Sequence, residues 1–202
     1  MKLIGSYTSP YVRKIRVILL EKNIACEFVS DSPWEAATHV PEYNPLGKVP
    51  ALVTDNDGIF FDSPIVAEYL DLFGGEPRLL PADPMSRLRV RQVEALSDGV
   101  ADAGSMIFKE RQRAAAQQSP EWMERQRGKI ELGLNALEAH AKDGTWLASN
   151  AISIADIAVG CLLGWLDFRF AETNWRAQRP ALAAHADRLF ARPSFQKTTP
   201  PG

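Results

Sequence analysis

Residues 44–64 of the chain run N-P-L-G-K-V-P-A-L-V-T-D-N-D-G-I-F-F-D-S-P. Within this stretch, residues 51–54 and 59–62 are short runs rich in strand-forming side chains, which predicts two strands. The D-N-D-G sequence between them is typical of a turn, so the two strands form a hairpin. The following S-P pair predicts a helix with Ser63 as its N-cap, and Gly74-Gly75 predicts its end near Phe73. The segment therefore supplies a ββα unit.

The chain before this stretch predicts a βαβ unit. Residues 2–7 and 27–30 are typical of strands, and Ser9-Pro10 begins a helix between them. The apolar face of that helix is formed by Val12, Ile15, Ile18 and Leu19. A right-handed crossover makes the two strands parallel. A βαβ unit followed by a ββα unit predicts a small mixed sheet in thioredoxin-like order.

The rest of the chain has helical periodicity and few β-branched runs, and it predicts an all-helical domain. We expect helices over residues 84–118, 120–141, 154–170 and 180–192. The Gly- and Pro-rich stretch 74–84 predicts the boundary between the two parts. The predicted organisation is a thioredoxin-like α/β domain over 1–75, a linker over 76–84 and an all-α domain over 85–202.

Composition excludes several classes of protein. The chain has 202 residues, a formal net charge of -2 and scattered basic side chains, which argues against nucleic acid and anionic lipid as partners. Its two cysteines, Cys26 and Cys161, have no paired Cys or His spacing, so neither a zinc site nor a disulfide scaffold is expected. Both are interpreted as buried, inert thiols. No apolar run is long enough for a signal peptide or a membrane span, and a cytoplasmic location is predicted.

Three features of the first domain indicate chemistry. Ser9 is predicted at a helix N-terminus, where unpaired N–H groups and the helix dipole favour an anion such as a thiolate. Pro50 stands at a strand entry, where a cis bond would let Val49 offer its backbone to an extended peptide. Asp62-Ser63 stands at another helix N-terminus and could grip a carboxylate and an ammonium group. Taken singly, capping explains both serines, and an ordinary trans proline explains Pro50.

Taken together, four motifs resemble the cytosolic glutathione transferase family, and small bacterial members with an N-terminal serine in particular. They are S-P-Y at 9–11 followed by a basic amphipathic helix, N-P-L-G-K-V-P at 44–50, D-S-P-I-V-A-E-Y-L at 62–70 and I-S-I-A-D-I-A at 152–158. The last resembles the family's capping box, in which Ser153 and Asp156 cap each other and Ile152 packs on Ile157. The resemblance covers almost the whole chain.

The resemblance implies a role for each matching residue. Ser9 would hydrogen-bond and activate the glutathione sulfur, and Val49 would pair its backbone with the cysteinyl part before a cis Pro50. Asp62 and Ser63 would grip the γ-glutamyl group, although many members have Glu where Asp62 stands. Lys48 is a further candidate for the tripeptide. The glycyl carboxylate stays open between Lys48 and the loop that holds Trp34 and His39.

The second substrate, a small hydrophobic or electrophilic molecule, is expected between the domains. The candidates for its pocket are Tyr11, Ser105, Met106 and Phe108. For Met106 and Phe108, packing in the core or at a dimer interface is an equal alternative. No metal and no cofactor beyond glutathione are expected.

Several alternatives remain at this point. Tyr7 or Thr8 could replace Ser9 as the activating hydroxyl, but Tyr7 is expected on the strand. A serine cannot form a mixed disulfide, which argues against a glutaredoxin-like oxidoreductase. A non-catalytic binding or regulatory module, or a glutathione-dependent isomerase or peroxidase, could use the same fold. The resemblance also implies a homodimer, and residues 87–93, which alternate Arg with Leu and Val, are a candidate face.

Overall fold

The computed structural model of the protein describes residues 1–201, and its first part is a four-stranded mixed sheet. The strands are β1 (Lys2–Gly5), β2 (Glu27–Ser30), β3 (Ala51–Val53) and β4 (Ile59–Phe60), in the spatial order β2-β1-β3-β4. β1 and β2 are parallel, whereas β3 is antiparallel to both β1 and β4. The thioredoxin-like order predicted from the sequence is confirmed. β1, β3 and β4 end earlier than expected, at Gly5, Val53 and Phe60, where their strand pairing stops.

Three helices accompany the sheet: α1 (Pro10–Glu21), α2 (Val40–Tyr43) and α3 (Ser63–Phe73). The short α2 was not predicted, because four residues carry no periodic signal. α1 lies directly against β1, since a Cβ placed on Gly5 would come within 2.6 Å of a Val12 methyl group. A glycine at this position therefore lets the N-terminus of α1 approach the end of β1.

The second part is helical throughout, as predicted. Its helices are α4 (Pro84–Arg111), α5 (Pro120–Lys142), α6 (Ile154–Arg169), α7 (Trp175–Gln178), α8 (Pro180–Phe190) and α9 (Pro193–Gln196). α4 ends at Arg111 rather than at residue 118. The side-chain amide of Gln118 donates to the carbonyl oxygens of Arg111 and Arg113 and closes a turn there. No helix within residues 1–201 is long and apolar enough to cross a membrane.

The two parts share one hydrophobic core. α6 is buried on nearly every side and packs against α1, α4 and α8. Its first turn carries the predicted capping box between Ser153 and Asp156, which the structure confirms. The carboxylate of Asp156 also accepts the N–H of Leu147 at 2.9 Å, so it ties the preceding loop to the helix.

The basic residues of α1 do not lie on a solvent face. Lys14 is 1% exposed, and its ammonium donates to Glu94 at 3.0 Å and to Asp98 at 2.9 Å, both on α4. Although burial opposes the charge, the two carboxylates outweigh it and the pKa of Lys14 lies above its ordinary value. Arg13 is also buried and donates to the Phe195 carbonyl oxygen at 3.1 Å. Charged contacts therefore fix α1 against the helical part.

Candidate active site

The candidate site lies at one edge of the sheet. Because β1 and β2 are parallel, the loops that follow them leave the same edge. These are residues 6–9 after β1 and residues 31–39 after β2. The N–H of Asp31 donates to the carbonyl oxygen of Gly5 at 3.0 Å, which holds the starts of the two loops together. The antiparallel β3 begins at this edge, so residues 44–50 arrive there as well.

Ser9 is the N-cap of α1, and its hydroxyl oxygen accepts the N–H of Val12 at 3.3 Å. The capping interpretation is therefore correct, but capping uses only a lone pair of the oxygen. Within residues 1–201 no acceptor lies within hydrogen-bonding distance of the Ser9 hydroxyl proton. The half-buried hydroxyl can cap the helix and donate to an anion at the same time.

Tyr7 and Thr8, the second choices, lie in the turn before α1 rather than at its N-cap. β1 stops at Gly5, so the expectation that Tyr7 lies on the strand is wrong, and Tyr7 lies in the turn after it. Its ring packs against that of Phe28 in a tilted arrangement, with centroids 4.6 Å apart. The Thr8 hydroxyl is 3.2 Å from that of Ser6. Ser9 is the one of the three that stands at the helix N-terminus.

The segment before β3 is braced by Asn44. This residue is 3% exposed, its amide donates to the Lys48 carbonyl oxygen at 2.9 Å, and its side-chain oxygen accepts the Leu46 N–H at 3.0 Å. The peptide bond between Val49 and Pro50 is cis. The N–H and carbonyl groups of Val49 make no hydrogen bond within the described residues. Sequence reasoning included Asn44 in a motif but did not recognise it as the brace.

The N-cap of α3 is Asp62 rather than Ser63, so the predicted cap is wrong by one residue. An oxygen of the Asp62 carboxylate accepts the Ser63 N–H at 2.5 Å. Ser63 becomes the first helical residue, and its hydroxyl is released from capping. The side chain is fully buried, and its hydroxyl oxygen has no hydrogen-bond partner within residues 1–201. An unpaired buried hydroxyl costs about 1–3 kcal/mol, so this position favours a polar ligand.

The electrostatic influence of Asp62 on Asp98 was not predicted from the sequence. Burial raises the pKa of Asp98, although the Lys14 ammonium opposes the shift. The negative charges of Glu94 and Asp62 also raise this pKa. Asp62 and Asp98 are far apart in sequence, so no local pattern could indicate this influence.

Tyr11 links α1 to α4. Its hydroxyl donates to the Asp102 carboxylate at 2.6 Å. Burial and this hydrogen bond raise the pKa of Tyr11 above its ordinary value, so the phenol stays protonated at neutral pH. Ser105 and Met106 follow Asp102 by three and four residues and share its helix face. Met106 is 43% exposed, whereas Phe108 points away from that face and packs against the core.

The two cysteine thiols are poor nucleophiles because of their surroundings. Cys161 is buried as expected, and burial raises the pKa of its thiol to about 11. Cys26 is only half-buried, so the expectation of a buried thiol is wrong there, but its partial burial still raises its pKa. Both therefore stay protonated at neutral pH. Among the described residues, no three His, Cys, Asp or Glu side chains are placed to hold a metal ion.

Comparisons with known proteins find matches to both parts of the chain. Residues 3–77 match the family model of the glutathione S-transferase N-terminal domain, and residues 120–188 match that of the C-terminal domain. The chain is 48% identical, over 201 residues, to the uncharacterized GST-like protein YibF of Escherichia coli (strain K12). That alignment covers 100% of this chain and 99% of the relative.

Two solved structures are also similar over nearly the full length. A glutathione S-transferase of Methylobacterium radiotolerans, in complex with glutathione sulfonate, has a TM-score of 0.95 and 42% identity, and the match covers 100% of this chain and 95% of that one. A glutathione S-transferase of Methylobacillus flagellatus with GSH bound has a TM-score of 0.96 and 38% identity, with 99% of each chain covered. The protein belongs to the glutathione S-transferase family.

Proposed function

We propose that the protein binds glutathione, stabilises its thiolate through Ser9 and transfers it to a small electrophile. The observation that carries the proposal is that two hydroxyl groups, each at the N-terminus of a different helix, are both free to donate a hydrogen bond. The Ser9 hydroxyl can still donate at the start of α1, and the Ser63 hydroxyl is buried and unpaired at the start of α3. The glutathione bound in similar structures supports it.

The tripeptide would lie across the edge of the sheet. The carboxylate of Asp62 would pair with the glutathione ammonium group, and Ser63 with the N-terminus of α3 would bind the γ-glutamyl carboxylate. The free backbone groups of Val49 would pair with the cysteinyl part as one more strand. Lys48 is exposed and would contact the tripeptide. In this pose the sulfur would lie over the start of α1.

Ionising the bound thiol near pH 7 requires only a modest stabilisation of the thiolate. A thiol with an ordinary pKa of about 8.5 is only a few per cent ionised at pH 7. Lowering that pKa by about two units needs about 2.7 kcal/mol of differential stabilisation. A charge-assisted hydrogen bond from Ser9 contributes about 1.5–3 kcal/mol, and the dipole of α1 adds to it. The neutral Tyr11 phenol, already bonded to Asp102, has no part in this ionisation.

In the transfer step the sulfur lone pair forms a C–S bond with the electrophilic carbon. In a substitution, the leaving group departs with the bonding electrons, and the thiol proton has already passed to solvent. Holding both reactants together supplies much of the rate advantage. A conjugation assay with chlorodinitrobenzene tests the proposal. Glutathione binding without turnover of any electrophile, and without isomerase or peroxidase activity, would instead favour the non-catalytic module.

We expect Ser63→Ala to separate ligand binding from stability. Glutathione affinity should fall by about tenfold to a hundredfold, since a hydrogen bond to a charged group contributes about 1.5–3 kcal/mol. The unliganded variant should be as stable as the parent or more so, because the substitution removes a buried hydroxyl that has no partner. Calorimetry and urea unfolding measure the two effects.

Ser97→Ala is the matched control, because Ser97 is a buried helical serine on α4 that no part of the proposed site uses. It should leave glutathione affinity unchanged. Equal affinity of the parent and Ser63→Ala would remove Ser63 from the binding site.

We also propose that two copies associate through the exposed apolar side chains of α3, α4 and α5. These are Ile65, Leu72, Phe73, Met85, Leu88 and Leu132. An apolar patch of this kind is typical of an interface. Of residues 87–93, the face chosen from the sequence, Leu88 is exposed and belongs to the proposed interface. Val90 and Val93 are instead buried in the core, and Arg87 and Arg91 pair with Glu68.

Light scattering should give about twice the 22.4 kDa mass of the chain. Leu88→Glu combined with Leu132→Glu should give the monomer, whereas Leu20→Glu on the exposed side of α1 should not. A monomeric parent protein at micromolar concentration would refute the dimer. The cytoplasmic location and the domain limits 1–75, 76–84 and 85–202 stay predictions.

A further inference from the structure

One face of α4 lies against the α/β domain near the candidate thiolate site, since Tyr11, two residues after Ser9, bonds to Asp102. Asp102, Ser105, Met106 and Lys109 follow the i, i+3, i+4, i+7 spacing and therefore share that face. Both ends of the face touch the α/β domain. Asp102 accepts the Tyr11 hydroxyl at 2.6 Å, and the Lys109 ammonium lies 5.0 Å from the centroid of the Trp34 ring. Ser105 and Met106 lie between the two contacts on the same face, and Met106 is 43% exposed.

Lys109 crosses from the helical part to the loop that follows β2. Trp34, on that loop, is 63% exposed, and the loop begins beside the turn that carries Ser9. A lysine ammonium over an aromatic ring gains about 0.5–1 kcal/mol at an exposed site, which is enough to orient the side chain but not to neutralise it. Within residues 1–201 no carboxylate lies within ion-pair distance of Lys109.

The acidic groups around Lys109 are already engaged. Glu110 accepts the Ser119 N–H at 2.8 Å and lies 3.8 Å from Arg113. Glu172 pairs with Arg111 at 2.7 Å. Asp102 lies two helical turns away, about 10 Å along the axis, and holds Tyr11. The ammonium of Lys109 is thus a positive charge without a carboxylate partner at the C-terminal end of this α4 face.

A second unpaired cation lies beyond it. The guanidinium carbon of Arg169 is 5.1 Å from the centroid of the Phe108 ring and 4.2 Å from that of Phe168, and no carboxylate within the described residues pairs with it. Arg169 is at the C-terminal end of α6, beside Phe108 of α4. It adds positive potential near Lys109, next to the rings of Phe108 and Phe168.

We propose that Lys109 is a specificity-determining residue that selects electrophiles with a carboxylate on an aromatic or other apolar body. The inference rests on the proposed function, since it names the substrate class of the same site. The apolar body would lie against Met106 and Trp34, and the carboxylate would pair with the Lys109 ammonium. The reacting carbon would be toward Ser9, at the opposite end of the α4 face from the carboxylate.

The test compares two pairs of probes that differ by a carboxylate. The first pair is S-benzylglutathione and S-(4-carboxybenzyl)glutathione, and calorimetry measures their binding without turnover. The second pair is chlorodinitrobenzene and chlorodinitrobenzoate. Attack by the glutathione sulfur forms a C–S bond and expels chloride with the bonding electrons in both. Rates are divided by those with free glutathione, so that intrinsic reactivity cancels.

We expect Lys109→Met to lower the affinity for the carboxybenzyl conjugate about tenfold, which corresponds to the loss of about 1.4 kcal/mol of binding free energy. The affinity for the benzyl conjugate should stay unchanged. The KM for chlorodinitrobenzoate should rise while kcat is kept. Lys109→Arg should retain the preference. Lys197→Met, which removes an exposed lysine beyond α9, is the control and should change neither affinity.

Two results would overturn the inference. The first is an equal loss of affinity for both conjugates, or a loss of affinity for glutathione itself, in Lys109→Met. That result would assign Lys109 to binding of the tripeptide. The second is equal affinity of the unmodified protein for the two conjugates with no effect of Lys109→Met. Failure of the proposed function gives a different signature, because the unmodified protein would then bind neither glutathione nor either conjugate.

Discussion

Replacing Ser9 with alanine is expected to raise the pKa of bound glutathione by about two units. The Ser9 hydroxyl has the free donor at the N-terminus of α1, and a charge-assisted hydrogen bond is worth about 1.5–3 kcal/mol. At pH 6.5 the rate of conjugation should fall about fiftyfold, because the ionised fraction falls from about one half to about one per cent. The loss should shrink as the pH rises above about 8.5, where the free thiol ionises unaided. The pH profile of kcat/KM and the ultraviolet absorbance of the bound thiolate measure both.

Ser9 also caps α1, so the variant must be separated from a folding defect. Ser9→Gly removes the same hydroxyl but costs the helix only a few tenths of a kcal/mol, whereas Ser9→Ala costs about 1 kcal/mol. Both variants should lose the pKa shift, and Ser9→Thr should keep most of it. Retention of the shift in Ser9→Gly would show that the helix N-terminus alone ionises the sulfur.

Asp156→Ala is expected to lower the free energy of unfolding by about 3–5 kcal/mol. Asp156 is fully buried, and its carboxylate accepts the Ser153 N–H at 2.8 Å, the Ser153 hydroxyl at 2.7 Å and the Leu147 N–H. Alanine would leave three buried donors without an acceptor. Because α6 packs on α1, α4 and α8, the loss spreads through the shared core.

Urea unfolding measures this loss, and Asp156→Asn is the matched variant. Asparagine keeps the size and one acceptor oxygen, so the free energy of unfolding of Asp156→Asn should lie between those of the parent and Asp156→Ala. Asp143→Ala, at the exposed end of α5, should be close to neutral. A cost below about 1 kcal/mol for Asp156→Ala would mean that the loop and helix hold together without the carboxylate.

Local signals accounted for much of the fold. Proline at the first turn of α1, α4, α5 and α8 marks where each begins, because proline suits only that part of a helix. The D-N-D-G turn fixed the β3–β4 hairpin. The capping box of α6 needed only Ser153 and Asp156, three residues apart. In each case the interaction that decides the structure lies within a few residues.

The rest depends on contacts that are distant in sequence or on a small backbone difference. Whether Asp62 or Ser63 caps α3 is set by one pair of backbone angles, yet it decides whether the Ser63 hydroxyl is free. Tyr11 meets Asp102 across 91 positions of the chain, and Lys14 meets Glu94 across 80. Such pairs exist only once α1 packs on α4, so periodicity could place the helices but not these contacts.

The most direct test of the central claim is a titration of glutathione into the unmodified protein, followed by calorimetry and by thiolate absorbance across a range of pH. The account predicts saturable binding and a bound thiolate that appears well below pH 8, with a proton released to the buffer. Binding without thiolate at pH 7 would contradict the role of Ser9. Absence of any binding would contradict the whole site assignment.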